Sequence, residues 1–281
     1  MDLSHSFFIV GPTAAGKSAL AVEYALRENG EIVNADAFQL YAGMDILTAK
    51  PSAAEMASVP HHLYGVLPLT EVCDARRYHD LALPVIQDIL QRGKLPIIVG
   101  GSGLYIKSLT HGLSPLPQGD EQMRAALRAR PLDEKVAELL ALDPAAAQTV
   151  NLRNPRYVER ALEICLLTRQ PQSVLRSGFS EPPQPIRGIC LCPERAVLCQ
   201  RIDARTVAMF EGGLVEEVAA LGPLSATAEK AIGIREVREL LAGRSTRAEA
   251  ISAMQIATRQ YAKRQATWFR RESCFTPYLP V

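Results

Sequence analysis

Long hydrophobic runs are missing from this 281-residue chain, and no stretch approaches the roughly 18 apolar residues of a membrane span. Its start has an early Asp2 and then only the apolar run Phe7-Phe8-Ile9-Val10, too little for a signal peptide. Cysteine is scattered, at positions 73, 165, 190, 192, 199 and 274. That spacing is neither the paired pattern of zinc ligands nor the density of a secreted disulfide scaffold. A cytoplasmic protein with reduced structural thiols is expected. A surplus of one charge is lacking too: 31 basic against 30 acidic residues give a net charge of +1, so no global field announces nucleic acid. RNA binding would have to come from local patches. One is Arg153, Arg156, Arg160, Arg169 and Arg176, diluted by Glu159 and Glu163. The other is Arg259, Lys263, Arg264, Arg270 and Arg271, with no acid between Thr258 and Arg271. Either reads equally well as a solvated helix face.

What is present is a complete phosphate-binding loop, Gly11-Pro12-Thr13-Ala14-Ala15-Gly16-Lys17-Ser18. It follows an apolar β-like run and precedes a helix-prone segment, the context in which backbone amides wrap a di- or triphosphate at a helix N-terminus. Lys17 then reaches the terminal phosphates and the Ser18 hydroxyl coordinates Mg2+.

Apolar, β-branched runs at 6–10, 31–34 and 95–99 read as buried parallel strands, and a fourth at 186–191 follows a Pro-rich stretch. Helical patterns at 16–28 and 74–91 separate the first three. The alternation predicts an α/β fold, a phosphate-loop-type parallel sheet with helices on both faces. Ligands gather at the C-terminal ends of such strands, so Asp36 and Gly100-Gly101-Ser102-Gly103 are expected to face the phosphate loop. Between about 113 and 185 the β-like runs vanish, and Ala, Leu, Arg and Glu at helical spacing take over in 121–130, 133–142 and 155–168. The stretches Ser114-Pro-Leu-Pro-Gln-Gly and Glu181-Pro-Pro-Gln-Pro bracket this region. We read an inserted all-helical subdomain at 114–185, within a core made of 1–113 and 186–281. The core ends in helices at 194–210, around Gly212-Gly213, and from Thr246 to about Arg270.

Asp36, at the end of the second strand, reads three ways: general base, Mg2+ ligand, or N-cap of a following helix. The third strand ends in Gly100-Gly101 and not in the Asp with which many nucleotide hydrolases hold Mg2+, which weighs against an ATPase or GTPase. Small-molecule kinases and transferases that bind a diphosphate without hydrolysing it remain.

Six segments occur in order: the phosphate loop; Asp36-Ala37-Phe38-Gln39-Leu40-Tyr41; Gly43-Met-Asp-Ile-Leu-Thr-Ala-Lys-Pro51; Val59-Pro-His-His-Leu63; Val99-Gly-Gly-Ser-Gly-Leu-Tyr105; and Arg259-Gln-Tyr-Ala-Lys-Arg-Gln-Ala-Thr-Trp268. Together they resemble the bacterial tRNA dimethylallyltransferases (tRNA isopentenyltransferases), and the resemblance runs from about residue 7 to 270. It implies transfer of a dimethylallyl group from dimethylallyl diphosphate to N6 of the adenosine beside the anticodon on its 3′ side. The loop then holds a diphosphate leaving group, stabilised by Lys17, the loop amides and Mg2+ on Ser18. Arg259, Lys263 and Arg264, at helical spacing, are expected to reach the same anion. Asp36 is the candidate base for the amine, and Ser102, where the family usually has Thr, orients the amine or the allyl end.

The adenine of an anticodon stem-loop must swing out into the pocket. Thr13, Asp36, Ala37, Phe38 and Gln39 are expected around it. Arg153, Arg156, Tyr157, Val158, Glu159 and Arg160, with Gly233 and Arg235, are the remaining tRNA contacts that the resemblance implies. Ala37 stands where the family commonly has Ser, Arg156-Tyr157 where it has Gln-Arg, and Ile234-Arg235-Glu236 where it has Tyr-Arg-Gln. His61 and His62 read as structural, Trp268 as core packing, and Cys190-Leu191-Cys192 as a strand alternating faces. The chain is expected to act as a monomer. The alternatives are a prenyltransferase for free adenine nucleotides, an ATP-dependent small-molecule kinase, and a non-enzymatic RNA-binding protein.

Overall fold

A computed structural model describes residues 3–113, 116–117, 119–176, 182 and 184–279. Ser114, Pro115, Gln118, Glu181 and Pro183 of the two bracketing stretches lie outside the described residues. The chain divides into two compact units, one made of 1–110 and 184–281 and the other of 111–183.

In the first unit β1 (Phe7–Val10) leads into α1 (Lys17–Arg27), β2 (Gly30–Asn34), α2 (Ala53–Ser58) and β3 (His61–His62). Next come α3 (Ala75–Gln91), β4 (Leu95–Gly100) and α4 (Gly103–Thr110). The second unit is helical: α5 (Glu121–Arg128), α6 (Leu132–Leu142), α7 (Ala146–Thr149), α8 (Pro155–Thr168) and α9 (Gln172–Arg176). The chain then completes the first unit with β5 (Gly188–Leu191), α10 (Arg195–Glu211), α11 (Leu214–Ala219), α12 (Ile234–Leu241), α13 (Arg247–Phe269) and β6 (Thr276–Tyr278).

All six strands are parallel, in the order β3-β2-β4-β1-β5-β6. The side-chain period of two divides each strand between two cores. Phe8, Val10, Val33 and Ile98 enter one apolar cluster; Ile9, Ile32, Ile97 and Val99 enter the other. The first is covered by α3, α4, α11 and α12, and the second by Ala21 and Ala25 of α1 with Leu198 and Ile202 of α10. β3 and β6 are additions to the four expected strands. A two-residue strand has no readable alternation, and β6 carries Pro277, which confines it to a sheet edge. The long C-terminal helix begins at a capping box in which Thr246 and Glu249 satisfy each other's backbone amides.

The second unit has its own core of Leu127, Leu139, Ala146, Val158, Leu162 and Cys165. Its buried charges are matched. Fully buried Glu163 receives Arg124, Arg160 and the Asp120 amide, and buried Lys135 pairs with Glu159 at 2.7 Å.

His61 and His62 carry structural bonds. The His61 ring meets the Val59 carbonyl, and His62 Nε2 lies 2.8 Å from Glu31 Oε2. Glu31 is buried at the start of β2 and is also bonded by Arg92 and by Lys94 at 2.8 Å. Arg92, ahead of Lys94 and His62, holds the Glu31 carboxyl well below the usual carboxylate range against the upward push of burial. A depressed carboxyl adds stability above its unfolded pKa and loses it as pH falls through and below that value. Glu31→Gln is therefore expected to lower stability at pH 7 by about 1–2 kcal/mol, the low end for a buried charged pair because Arg92 and Lys94 are 39% and 33% exposed. The variant should lose less stability than the wild type on acidification below pH about 4.5, measured by denaturant titration at several pH values.

Candidate active site

The strand register brings the site together. Val10 pairs with Gly100, Asn34 with Val99, and Val10 with Cys190, so β1, β2, β4 and β5 end level with one another. Gly100 is required there, because a Cβ on it would fall 2.1 Å from the Ala35 carbonyl oxygen. The chain leaving β2 crosses that gap, with Ala35 N–H donating to Val99 O and Ser102 N–H to Ala35 O. This fixes Asp36 beside the phosphate loop.

The loop turns on left-handed residues, with Gly16 at φ 92° and Ala14 at φ 63°, and delivers its amides at the start of α1. Its mouth is a cavity of about 440 Å3 lined by Thr13 to Ala19, Asp36, Gln39, Tyr64, Arg201 and Arg205. A smaller cavity of about 60 Å3 adjoins it through Thr13, Asp36, Thr48 and Arg205, and is otherwise largely apolar, with Phe38, Leu47, Met209, Ile232 and Met254. Asp36 borders both.

Lys17 Nζ donates to Pro12 O at 2.8 Å. Burial lowers its pKa to about 8, and Asp36 works in the opposite direction. Burial also pulls the Arg205 guanidinium down, again countered by Asp36, while its Nη2 donates to the Thr13 hydroxyl at 2.8 Å. Three cations therefore share the mouth with one carboxylate, an imbalance that an anionic ligand corrects.

Asp36 caps no helix. Its Oδ1 accepts the Phe38 amide at 3.0 Å, an Asx turn, and turns follow as far as α2. Ser102 Oγ accepts the Ala37 amide at 2.8 Å, with the Tyr261 hydroxyl beside it. Gln39 spends both amide protons on the Thr48 and Ala49 carbonyls. Trp268 packs its indole against Gly103, where a Cβ would lie 2.3 Å from the ring.

Of the α13 cations expected at the loop, Arg259 and Lys263 line a different cavity, of about 940 Å3, that meets the loop only at Pro12. Arg259 pairs with Asp203 at 2.6 Å, and Arg264 lies over the Tyr261 ring. Helical periodicity turns Thr258, Tyr261 and Gln265 inward and leaves those cations outside. Arg201 and Arg205 of α10 occupy the mouth instead, and sequence reading missed them. Their signal was two arginines four apart, on the helix following the strand beside β1. Gly233 opens α12 with its amide on Glu236 Oε2, and Arg235 is 81% exposed with Nη2 on Glu236 Oε1. In the second unit Arg153, Arg156 and Tyr157 are exposed. Val158, expected to touch tRNA, is wholly buried in the helical core, so it cannot. Arg160 is engaged by Glu163 and the Pro117 carbonyl.

Residues 39–272 match the model of the family described as IPP transferase. The tRNA dimethylallyltransferase of Akkermansia muciniphila is 42% identical over 267 residues, 95% of this chain and 90% of that protein. The tRNA dimethylallyltransferase of an Anaeromyxobacter species is 46% identical over 277 residues, 94% and 91% of the two chains. The crystal structure of the tRNA isopentenylpyrophosphate transferase of Bacillus halodurans aligns with a TM-score of 0.71 at 37% identity, over 98% of this chain and 90% of that one. A eukaryotic dimethylallyltransferase acting on tRNA aligns at 0.81 with 26% identity, over 98% and 73%.

A lysine lowered by burial to about 8 gives a pH signature. Inorganic diphosphate is expected to bind less tightly as pH rises through about 8, where Lys17 loses its proton, with proton uptake on binding seen by calorimetry. Lys17→Met should bind roughly tenfold or more weakly below that pH, and the ratio of wild-type to variant affinity, which cancels the titration of diphosphate itself, should fall as pH rises through about 8.

Proposed function

Because the chain belongs to the IPP transferase family, we propose that it moves a dimethylallyl group from dimethylallyl diphosphate to N6 of the adenosine 3′-adjacent to the anticodon of tRNA, releasing diphosphate. The observation that carries this reading is Asp36 at the junction of a cation-lined mouth and a small apolar cavity. The diphosphate lies in the mouth under Lys17, Arg201, Arg205 and the loop amides of Ala14 and of Gly16 to Ser18. As the C1–O bond breaks, negative charge grows on the bridging oxygen, and these groups hold that charge in a partly dehydrated site. The amine loses a proton as it attacks C1, and the Asp36 carboxylate receives it. Ser102 supports Asp36 indirectly, by holding the Ala37 amide.

Mg2+ suits the donors: the Ser18 hydroxyl and the Asp36 carboxylate are hard oxygens in one mouth, and this ion keeps waters and substrate phosphates in its shell. Ser18 would hold it, and its chemistry would be neutralisation of the leaving anion. Among the described residues no group of three or more His, Cys, Asp or Glu forms another metal centre, and no helix is long and apolar enough to cross a membrane. The exposed Arg153, Arg156 and Tyr157, with Arg235, are our choice for the RNA backbone contacts, in a single chain working where tRNA circulates in the cytoplasm.

Incubation with labelled dimethylallyl diphosphate, Mg2+ and either an anticodon stem-loop or AMP tests the proposal. Label should pass to the stem-loop; label passing only to AMP, or ATP consumption without transfer, overturns it. Asp36→Asn should still bind inorganic diphosphate while transfer falls by about 10²–10⁴-fold. Unchanged turnover would remove Asp36 from the base role. Replacing Arg153 and Arg156 together with Ala should weaken stem-loop binding and make it less salt-dependent by roughly two phosphate contacts, with diphosphate affinity unaltered.

A further inference from the structure

Gln265 is a buried amide on α13 whose two ends meet two different loops. Its Oε1 accepts the Thr13 backbone amide at 2.8 Å, and its Nε2 donates to the Gly101 carbonyl at 2.9 Å. Thr13 is the third residue of the phosphate loop and Gly101 follows β4. Gly101 has no side chain where Gln265 arrives, since a Cβ there would lie 2.2 Å from Nε2. Thr13 is then held from two sides, its amide by Gln265 and its hydroxyl by Arg205.

Resting on the reading of the mouth as a diphosphate site, we propose that Gln265 is the positioning residue of the phosphate loop. Its carbonyl withdraws the Thr13 amide from the ligand and its Nε2 ties the loop to the end of β4, so the amides of Ala14 and of Gly16 to Ser18 are arranged before diphosphate arrives, while the Ala15 amide is turned onto the Pro12 carbonyl. Preorganisation of this kind lowers the ordering cost of binding, and the loop's conformation includes a non-glycine residue in the left-handed region, Ala14, which needs surroundings that hold it.

The role depends on polarity: one acceptor toward Thr13 and one donor toward Gly101. A neutral carboxylic acid supplies both, and a carboxylate only the first, leaving an anionic oxygen against the Gly101 carbonyl. Gln265→Glu is therefore a titratable replica. Burial beside a carbonyl raises the introduced carboxyl above the usual range, so it is neutral in mild acid. Gln265→Met keeps the volume and removes both bonds, together with the contact to the Tyr261 hydroxyl.

The measurement is inorganic diphosphate affinity by calorimetry between pH 5 and 7.5, each variant expressed as a ratio to wild type. The ratio cancels the titration of Lys17 and of diphosphate itself, and the neighbouring Tyr261 stays protonated because burial raises its pKa. Gln265→Glu should match wild type within about twofold at pH 5 and bind about tenfold or more weakly at pH 7.5. Gln265→Met should be about tenfold weaker at both. Stem-loop transfer by Gln265→Glu should recover in parallel at low pH, again relative to wild type. A pH-independent ratio for Gln265→Glu, or wild-type affinity in Gln265→Met even with a lowered melting temperature, overturns the proposal and leaves Gln265 a packing residue. Should Gln265→Glu fail to fold at the higher pH, Gln265→Met there decides the matter alone. Failure of the functional reading looks different: wild type that binds diphosphate but transfers no label to any stem-loop.

Discussion

The site depends on the level at which the parallel strands stop. β1, β2, β4 and β5 end in register, and glycine at 100 lets the chain leaving β2 lie directly against β4. One residue of slip would turn the alternating cores inside out and carry Asp36 away from the phosphate loop. The two apolar clusters on opposite faces make such a slip costly. The position of the Asp36 carboxylate is thus maintained by the burial of side chains such as Ile32, Val33, Ile97 and Ile98, none of which lines the mouth.

Charge is arranged to be unfinished. Lys17 and Arg205 are both disfavoured by burial, and Asp36 is the group that offsets both. An anion entering the mouth relieves that cost, and an anion that forms there during a reaction relieves it further. On the proposed function, the energy stored in desolvating these cations is available at the stage when the leaving group takes up charge. The contrast with Glu31, Glu163 and Lys135 is instructive, because there each buried charge already has its partners and the result is stability.

Basic residues that look alike in sequence have separate fates. Arg160 is bound by Glu163 and Arg259 by Asp203, whereas Arg153 and Arg156 are exposed. Arg160, beside the fully buried Glu163, is a structural member of its unit, since removing it would take an ion pair from that carboxylate, whereas Asp203 beside Arg259 is partly exposed.

The phosphate loop, the α/β class and the helical second unit were legible in the sequence, because each rests on local physics: fixed glycine spacing, periods of 2 and 3.6, and Pro-rich boundaries. So was the proximity of Asp36 to the loop, which follows from the rule that parallel strands deliver ligand contacts at their C-terminal ends. The edge strands β3 and β6 were not, being too short to show a period. Nor were the cations of the mouth. Sequence spacing places Arg259 and Lys263 on one helix face but does not say which way that face turns. The packing of α13 decided that, turning Gln265 and Tyr261 inward and leaving the mouth to Arg201 and Arg205 of α10. Helix rotation about its axis is set by the sum of long-range apolar contacts, and no single segment of the chain encodes it.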